Sequence, residues 1–225
     1  MAVFLCPESG AVRLFEEVRR EKSPDGCEPL QPSVIPRRLV RVVPEHTTAQ
    51  VETWWAGATA LHPGWEHVTR RQPHDPDLFP RTAPYWPDCE TGAQLADLVR
   101  AEELWHWGGV YIDSDVEVFK PFDNLVGLPA FAGWEDGKRV CNAVLGFPPH
   151  HPVLRDFLDL AIERRHHGTE AAGVATFTEI VTGRDDVVLL PPDAFYPAHW
   201  SEEAHPSKVK PWSWTLHYWA KSWHA

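Results

Sequence analysis

The segment "GGVYIDSDVEVFKPF", from Gly108 to Phe122, sets two carboxylates one residue apart, Asp113 and Asp115, at the end of an apolar run. Side chains alternate along a strand, so an Asp-x-Asp that ends one is expected to present both carboxylates on the same face. Two carboxylates this close do not both ionise cheaply unless a cation lies between them. Oxygen donors of this kind favour Mg2+ or Mn2+, with substrate phosphate completing the shell. The tripeptide alone leaves three readings open: a metal pair, an aspartate nucleophile, or a strand running out into solvent. Its place at the carboxyl end of an expected strand, where open α/β sheets bind ligands, favours the first.

A helix must position this pair from upstream. Thr91 and Gln94 have capping-box spacing, Leu95, Leu98, Val99 and Trp105 recur at helical intervals, and Gly108-Gly109 ends the run. Asp97 and Arg100 are three apart and share one side of that helix. They are either an intrahelical ion pair of small value or part of a site, with Asp97 accepting from a ribose hydroxyl and Arg100 facing an anion.

The rest of the chain reads as strands alternating with helices. "RRLVRVV" (37–43), "WEHVTR", "VYID" with "VEVF" as its continuation, "AFAGWE", "NAVLGF", "DVVLLP" and "WTLHYW" are the expected strands. "TTAQVETWWAGATA", capped at Thr47 or Thr48, "HPVLRDFLDLAIERR" and "VATFTEIV" are the expected helices. The Pro-rich "QPHDPDLFPRTAPYWPDCE" reads as a loop. Residues 1–33 read as an irregular extension with one short helix around "AVRLFEEVRREK". Alternation of this kind predicts an α/β layer fold with a mostly parallel sheet, here as one domain over 1–225.

Composition limits the function. The chain has 225 residues and a net charge of -11, which argues against a nucleic-acid binder. No run is long and apolar enough to span a bilayer, and the start lacks the basic, apolar pattern of a signal peptide, so a cytoplasmic location is expected. Cys6, Cys27, Cys89 and Cys141 have no paired-zinc spacing and read as free thiols. Of the 12 Trp, two or three are expected to line a site, since indole faces suit sugars and bases. His106, His150, His151, His166 and His167 form no metal spacing and read as surface or turn residues.

The block "ADLVRAEELWHWGGVYIDSDVEVFKPF" strongly resembles the signature of glycosyltransferase family 32, the DXD sugar transferases, and the catalytic core of the clostridial glucosylating toxins. It matches at Ala96, Asp97, Arg100, Gly108, Gly109, Tyr111, Asp113 and Asp115. "CNAVLGFPPHHPVL", "AGVATFTEIV", "VVLLPPDAFYP" and "TLHYWAKSW" resemble later segments of the family more loosely. Ala172 and Val174 replace its Thr and Pro. Near the start, Val40 and Val43 replace its His and Trp, where base recognition is expected.

The resemblance implies a GT-A fold, a Rossmann-like mixed sheet flanked by helices. It implies transfer, with retention, of a sugar from a UDP- or GDP-linked donor to an acceptor hydroxyl: a saccharide, lipid, protein or natural product. Carried over, Asp113, Asp115 and His217 hold Mn2+ or Mg2+. Asp97, Arg100, Tyr111, Ser222 and Trp223 contact the donor, and Asp113, Asp115 and Arg100 act in catalysis. Asn142 is a plausible sugar-positioning residue, and Lys221 is added as a cation near the leaving diphosphate. A bound divalent ion and nearby cations stabilise that leaving group. Retention proceeds by same-face attack or through a carboxylate nucleophile, for which Glu135 and Asp136 are the candidates.

Two alternatives remain. A haloacid-dehalogenase-type phosphatase would use Asp113 as nucleophile with "GRDD" (183–186) as its acidic motif. An inactive, carbohydrate-binding relative of the transferases would keep the fold without the chemistry.

Overall fold

The computed structural model describes residues 34–220 throughout, together with the backbone of 3–5 and 12–14. Strand β1 (Val3–Leu5) pairs antiparallel with β2 (Val12–Leu14). The helix expected around residues 11–22 is therefore a strand over Val12–Leu14, and its remainder lies outside the described residues.

A six-stranded sheet organises the rest. It is built from β3 (Arg38–Val43), β4 (Glu66–Arg71), β5 (Gly109–Ile112), β7 (Phe131–Trp134), β8 (Val140–Phe147) and β9 (Val188–Leu190), in the order β4-β3-β5-β8-β7-β9. The first three run parallel, β8 runs antiparallel to β5 and β7, and β9 runs parallel to β7. One reversed strand makes the sheet mixed but mostly parallel, as expected from the sequence.

β6 (Val116–Val118) departs from expectation. It does not prolong β5 but pairs antiparallel with β10 (Thr215–His217) in a separate two-stranded ladder. The backbone leaves the sheet at Asp113 and turns, with Val116 N–H donating to the Asp113 carbonyl at 3.1 Å.

Both faces of the sheet are covered, and β5 shows the alternation. Tyr111 packs into the core beneath the helices α2 (Gly92–Trp107), α3 (Pro152–Glu163) and α4 (Thr176–Val181). Val110 and Ile112 face the opposite core, with residues 116–128, the short helix α5 (Pro192–Phe195) and Trp214. Asp113 continues the parity of Tyr111 and so emerges on the α2 side. Glycine is required where α2 gives way to β5. A Cβ on Gly109, at φ +118, would stand 2.6 Å from the Arg38 carbonyl, so only glycine lets β5 lie this close to β3.

The N-termini of the helices are capped as expected, with one difference. Thr48 Oγ1 accepts from Val51 N at the start of α1 (Ala49–Leu61), and Thr91 Oγ1 accepts from Gln94 N at the start of α2. Gln94 Oε1, however, accepts from Glu90 N rather than from the Thr91 amide, and its Nε2 donates to the Arg165 carbonyl. Pro152 opens α3 behind His151, whose ring accepts from Val153 N. His151 is buried, unlike the surface or turn role expected of it, because it caps this helix beneath Phe147. Cys89 and Cys141 are free thiols. No helix among the described residues is long and apolar enough to cross a membrane.

His62, fully buried at the end of α1, ties that helix to the turn after β6. Its Nδ1–H donates to the Ala58 carbonyl at 2.7 Å, and its Nε2 accepts from Phe122 N–H at 2.9 Å. Burial holds its pKa below the ordinary 6.5, and a protonated ring would lose the Phe122 bond. A lowered folded-state pKa gives stability that is present above pH 6.5 and lost as pH falls. We predict that the Tm difference between the wild type and His62→Gln is largest above pH 7 and narrows below about pH 6.5. A difference that does not vary with pH would contradict the neutral, doubly bonded ring.

Candidate active site

A cavity of about 330 Å3 opens at the carboxyl end of β5. Its walls carry Asp97 and Arg100 from α2, Asp113 from the turn after β5, and Glu135, Arg139 and Asn142 from the β7–β8 hairpin. The wall also carries Cys141 of β8, Glu170 and Val174 ahead of α4, and His217 and Trp219 at and just beyond the end of β10.

The core of the site is a charge cluster removed from water. The Arg100 guanidinium lies 3.1 Å from Asp97 Oδ1 and 3.1 Å from Asp113 Oδ1, and it donates to the Asn142 carbonyl at 2.7 Å. It also lies over the Tyr111 ring, 4.7 Å from its centre. Asn142 Nδ2 donates to Asp97 Oδ1 at 2.9 Å, and Tyr111 Oη donates to Asp113 Oδ1 at 2.6 Å. Asp97 and Arg100 are thus an ion pair, but a buried one that reaches a third charge, not a solvated pair on a helix surface. Burial pushes the Asp97 carboxyl up to about 6 and raises Asp113 as well, with Arg100 opposing both shifts. Burial also works against the Arg100 charge, but Asp113 and its other anionic neighbours outweigh that and raise its pKa.

The two carboxylates of the Asp-x-Asp converge through a turn. The expected strand-face geometry is corrected here, because β5 ends at Ile112 and residues 113–116 form the turn. Asp115 is fastened by residues 217–220, which fold back beside it. His217 Nε2–H donates to Asp115 Oδ1 at 3.1 Å and lies 4.0 Å from Asp113 Oδ2. Ala220 N–H donates to Asp115 Oδ2 at 2.7 Å. Burial raises the cost of the Asp115 charge, yet His217 and this amide hold its pKa below the usual value. Burial likewise opposes the His217 charge, but Asp115 raises its pKa well above the ordinary range.

One donor atom from each of Asp113, Asp115 and His217 lies within 4.8 Å of the others. Two carboxylate oxygens and one imidazole nitrogen suit a divalent cation of the Mg2+ or Mn2+ type, which would displace the proton that His217 Nε2 shares with Asp115. A second acidic group, Glu135, Asp136 and His199, has comparable spacing. Asp136 is exposed there, and its Oδ1 accepts from Lys138 and Arg139 N–H in the hairpin turn, a structural role.

The expected site residues divide into three groups. Asp97, Arg100, Asp113, Asn142 and His217 line the cavity, and Asp115 stands behind His217. Tyr111, expected to contact the donor, is not part of the cavity wall. Only 1% of it is exposed, and its hydroxyl is used on Asp113. Lys221, Ser222 and Trp223 lie outside the described residues. Arg100 reaches the cavity, but each of its three nitrogens already serves a protein acceptor.

Glu135 lines the cavity and is buried, with Oε1 3.0 Å from Arg139 and its pKa raised by burial. Arg139, Cys141 and Trp219 were not anticipated. The Trp219 ring lies 3.9 Å from that of His217, and its place two residues beyond His217 in "TLHYWAKSW" was the available signal. It is the one Trp in the cavity wall among the described residues. Val40 and Val43 are fully buried in β3, so neither presents a side chain to a base. Asp186, from "GRDD", pairs with Arg184 and His151 away from the cavity wall.

Comparison with known proteins agrees with this geometry. Residues 49–131 match the family described as a glycosyltransferase sugar-binding region containing a DXD motif. Inositol phosphoceramide mannosyltransferase 2 of Schizosaccharomyces pombe is 33% identical over 115 residues, 48% of this chain and 33% of its own length. Mannosyl phosphorylinositol ceramide synthase SUR1 of Saccharomyces cerevisiae is 27% identical over 149 residues, 61% of this chain and 37% of its own. The chain therefore spans about a third of the length of these relatives. Among solved structures, the PaToxG glycosyltransferase superposes with a TM-score of 0.58 at 15% identity, over 66% of this chain and 69% of that one. The glycosyltransferase GlyE of Streptococcus pneumoniae TIGR4 gives 0.52 at 14% identity, over 83% and 56%. These likenesses establish the GT-A fold. By sequence, the match over residues 49–131 and the yeast relatives make the DXD-containing region of this chain similar to that of sugar transferases.

Proposed function

We propose that residues 1–225 act as one GT-A domain that moves a hexose from a UDP- or GDP-linked donor to an acceptor hydroxyl, with a divalent cation and with retention. The observation that carries this reading is the buried bridge of Arg100 between Asp97 and Asp113, set beside the Asp113–Asp115–His217 triad. Asp113, Asp115 and His217 would hold Mn2+ or Mg2+. When bound, the ion supplies Lewis-acid stabilisation of the leaving diphosphate.

The chain's own residues supply position and shelter. Asp97 Oδ1 is occupied by Asn142 and Arg100, while Oδ2 has no hydrogen-bond partner among the described residues and serves as an acceptor for a donor hydroxyl. Arg100 keeps the planes of Asp97 and Asp113 fixed and holds positive charge beneath the site, where low polarity strengthens it. Trp219 offers an apolar ring in the cavity wall, beside His217, against which a sugar ring can lie. The two yeast relatives are named for mannosyl transfer, which supports a hexose as the transferred group.

Same-face attack is the favoured route to retention. Asp136 is outside the cavity wall, and Glu135 is paired with Arg139 and held toward its neutral form by burial, which suits it poorly for attack. The phosphatase alternative is less well supported, because neither Asp185 nor Asp186 lines the cavity and Asp186 pairs with Arg184 and His151.

With a panel of UDP- and GDP-sugars and Mn2+, slow donor hydrolysis is expected, and Asp115→Asn should lower it about 100-fold or more. Mn2+ alone should raise Tm slightly, and Mn2+ with the matching nucleoside diphosphate should raise it further. A folded wild type that shows neither hydrolysis nor a nucleotide-dependent shift would favour an inactive sugar-binding protein. Release of phosphate from simple phosphoesters would favour the phosphatase. Glu135→Gln separates the two routes to retention. Same-face attack predicts that hydrolysis stays within about tenfold of wild type, whereas a covalent intermediate on Glu135 predicts a loss of several orders of magnitude.

A further inference from the structure

The segment ahead of α4, Ala171–Ala175, is wound as a π-helix, and its middle residue is Gly173. Gly173 is buried against Asp97. A Cβ built on it would overlap Asp97 Oδ2 and stand 3.3 Å from Cγ. The backbone here has no positive φ that would demand glycine. The requirement comes from the space that the carboxylate fills.

Neither partner is free to retreat. Asp97 is a short side chain held on its far oxygen by Asn142 and Arg100. The π-helical segment is fastened on both sides. Thr169 Oγ1 and Thr91 Oγ1 are 2.8 Å apart, which ties it to the start of α2. Thr176 Oγ1 donates to the Ala171 carbonyl and accepts from Arg164, and Thr178 Oγ1 accepts from Val140 N on β8. The wide turn is thus held closed around Gly173, which lies against Asp97. π-Helical turns of this sort recur at functional sites, where they re-aim the backbone.

We propose that Gly173 is a positioning residue of the donor site: the space left by its missing side chain sets the carboxylate plane of Asp97 and, through Asp97, the Arg100 guanidinium that reaches Asp113. The effect on activity rests on the transferase reading above; the contact itself does not.

A double-mutant cycle tests it. Gly→Ala inside a helix ordinarily stabilises. Here Gly173→Ala is expected to lower Tm by about 3–6 °C, while in the Asp97→Ala background the same change leaves Tm unchanged or raises it. Asp97→Ser replaces Asp97→Ala if the latter does not fold. Failure of Gly173→Ala to fold, with folding restored in the Asp97 background, would equally support the contact. Donor hydrolysis by Gly173→Ala with Mn2+ is expected to fall at least about tenfold, as small misplacements at a reacting centre do, with no further fall in the Asp97 background. Equal Tm changes in both backgrounds, or a Gly173→Ala protein with wild-type Tm, would overturn the proposal. If the wild type hydrolyses no nucleotide sugar, the transferase reading fails, and the Tm cycle still decides the role of Gly173.

Discussion

Arg100 is a full positive charge taken out of water, and the site is arranged around meeting that cost. An isolated buried guanidinium is expensive, and its burial is tolerated only when counter-charges and acceptors surround it. Asp97 comes from the same helix, Asp113 from the turn after β5, and the Asn142 carbonyl from β8. One side chain therefore fixes the relative placement of three elements. Tyr111 closes the cluster from below, with its ring under the guanidinium and its hydroxyl on Asp113.

The second half of the site depends on chain that arrives much later. β6 leaves the main sheet and pairs with β10, which delivers His217 to Asp115 and then brings the Ala220 amide to the other carboxylate oxygen. Asp113 thus answers to the α2 cluster and Asp115 to the end of the described chain. Each carboxylate has partners of its own, and the His217 ring, 3.1 Å from Asp115 Oδ1 and 4.0 Å from Asp113 Oδ2, is the cation they share. The space they share with His217 is where a divalent ion and a diphosphate would meet them.

Much of this was legible in the sequence, for identifiable reasons. Capping and periodicity gave α2, whereas it was the family resemblance of the block holding Asp97, Arg100 and Asp113 that pointed to one site. Parity along the strand carries Tyr111 and Asp113 to the same side. Other features depend on contacts distant in sequence. That the Asp-x-Asp sits in a turn follows from β6 choosing β10 over β5. Tyr111 matched the family signature, but only packing reveals that it supports Asp113 from within the core. Gly173 looked like a residue in a softened motif, because no local pattern reports that Asp97 fills the space beside it. Arg139 was hidden for a similar reason: its role depends on a hairpin turn, shaped by Asp136, that folds it back onto Glu135.

The central claim is that Asp113, Asp115 and His217 form the cation site of a nucleotide-sugar transferase. Anomalous diffraction at the manganese edge, from crystals holding Mn2+ and a nucleoside diphosphate, tests it directly. The expected result is one strong peak within bonding distance of the Asp113 and Asp115 carboxylates, with the diphosphate oxygens completing its shell. A peak at Glu135, Asp136 and His199 instead, or nucleotide bound with no metal peak beside Asp115, would contradict it.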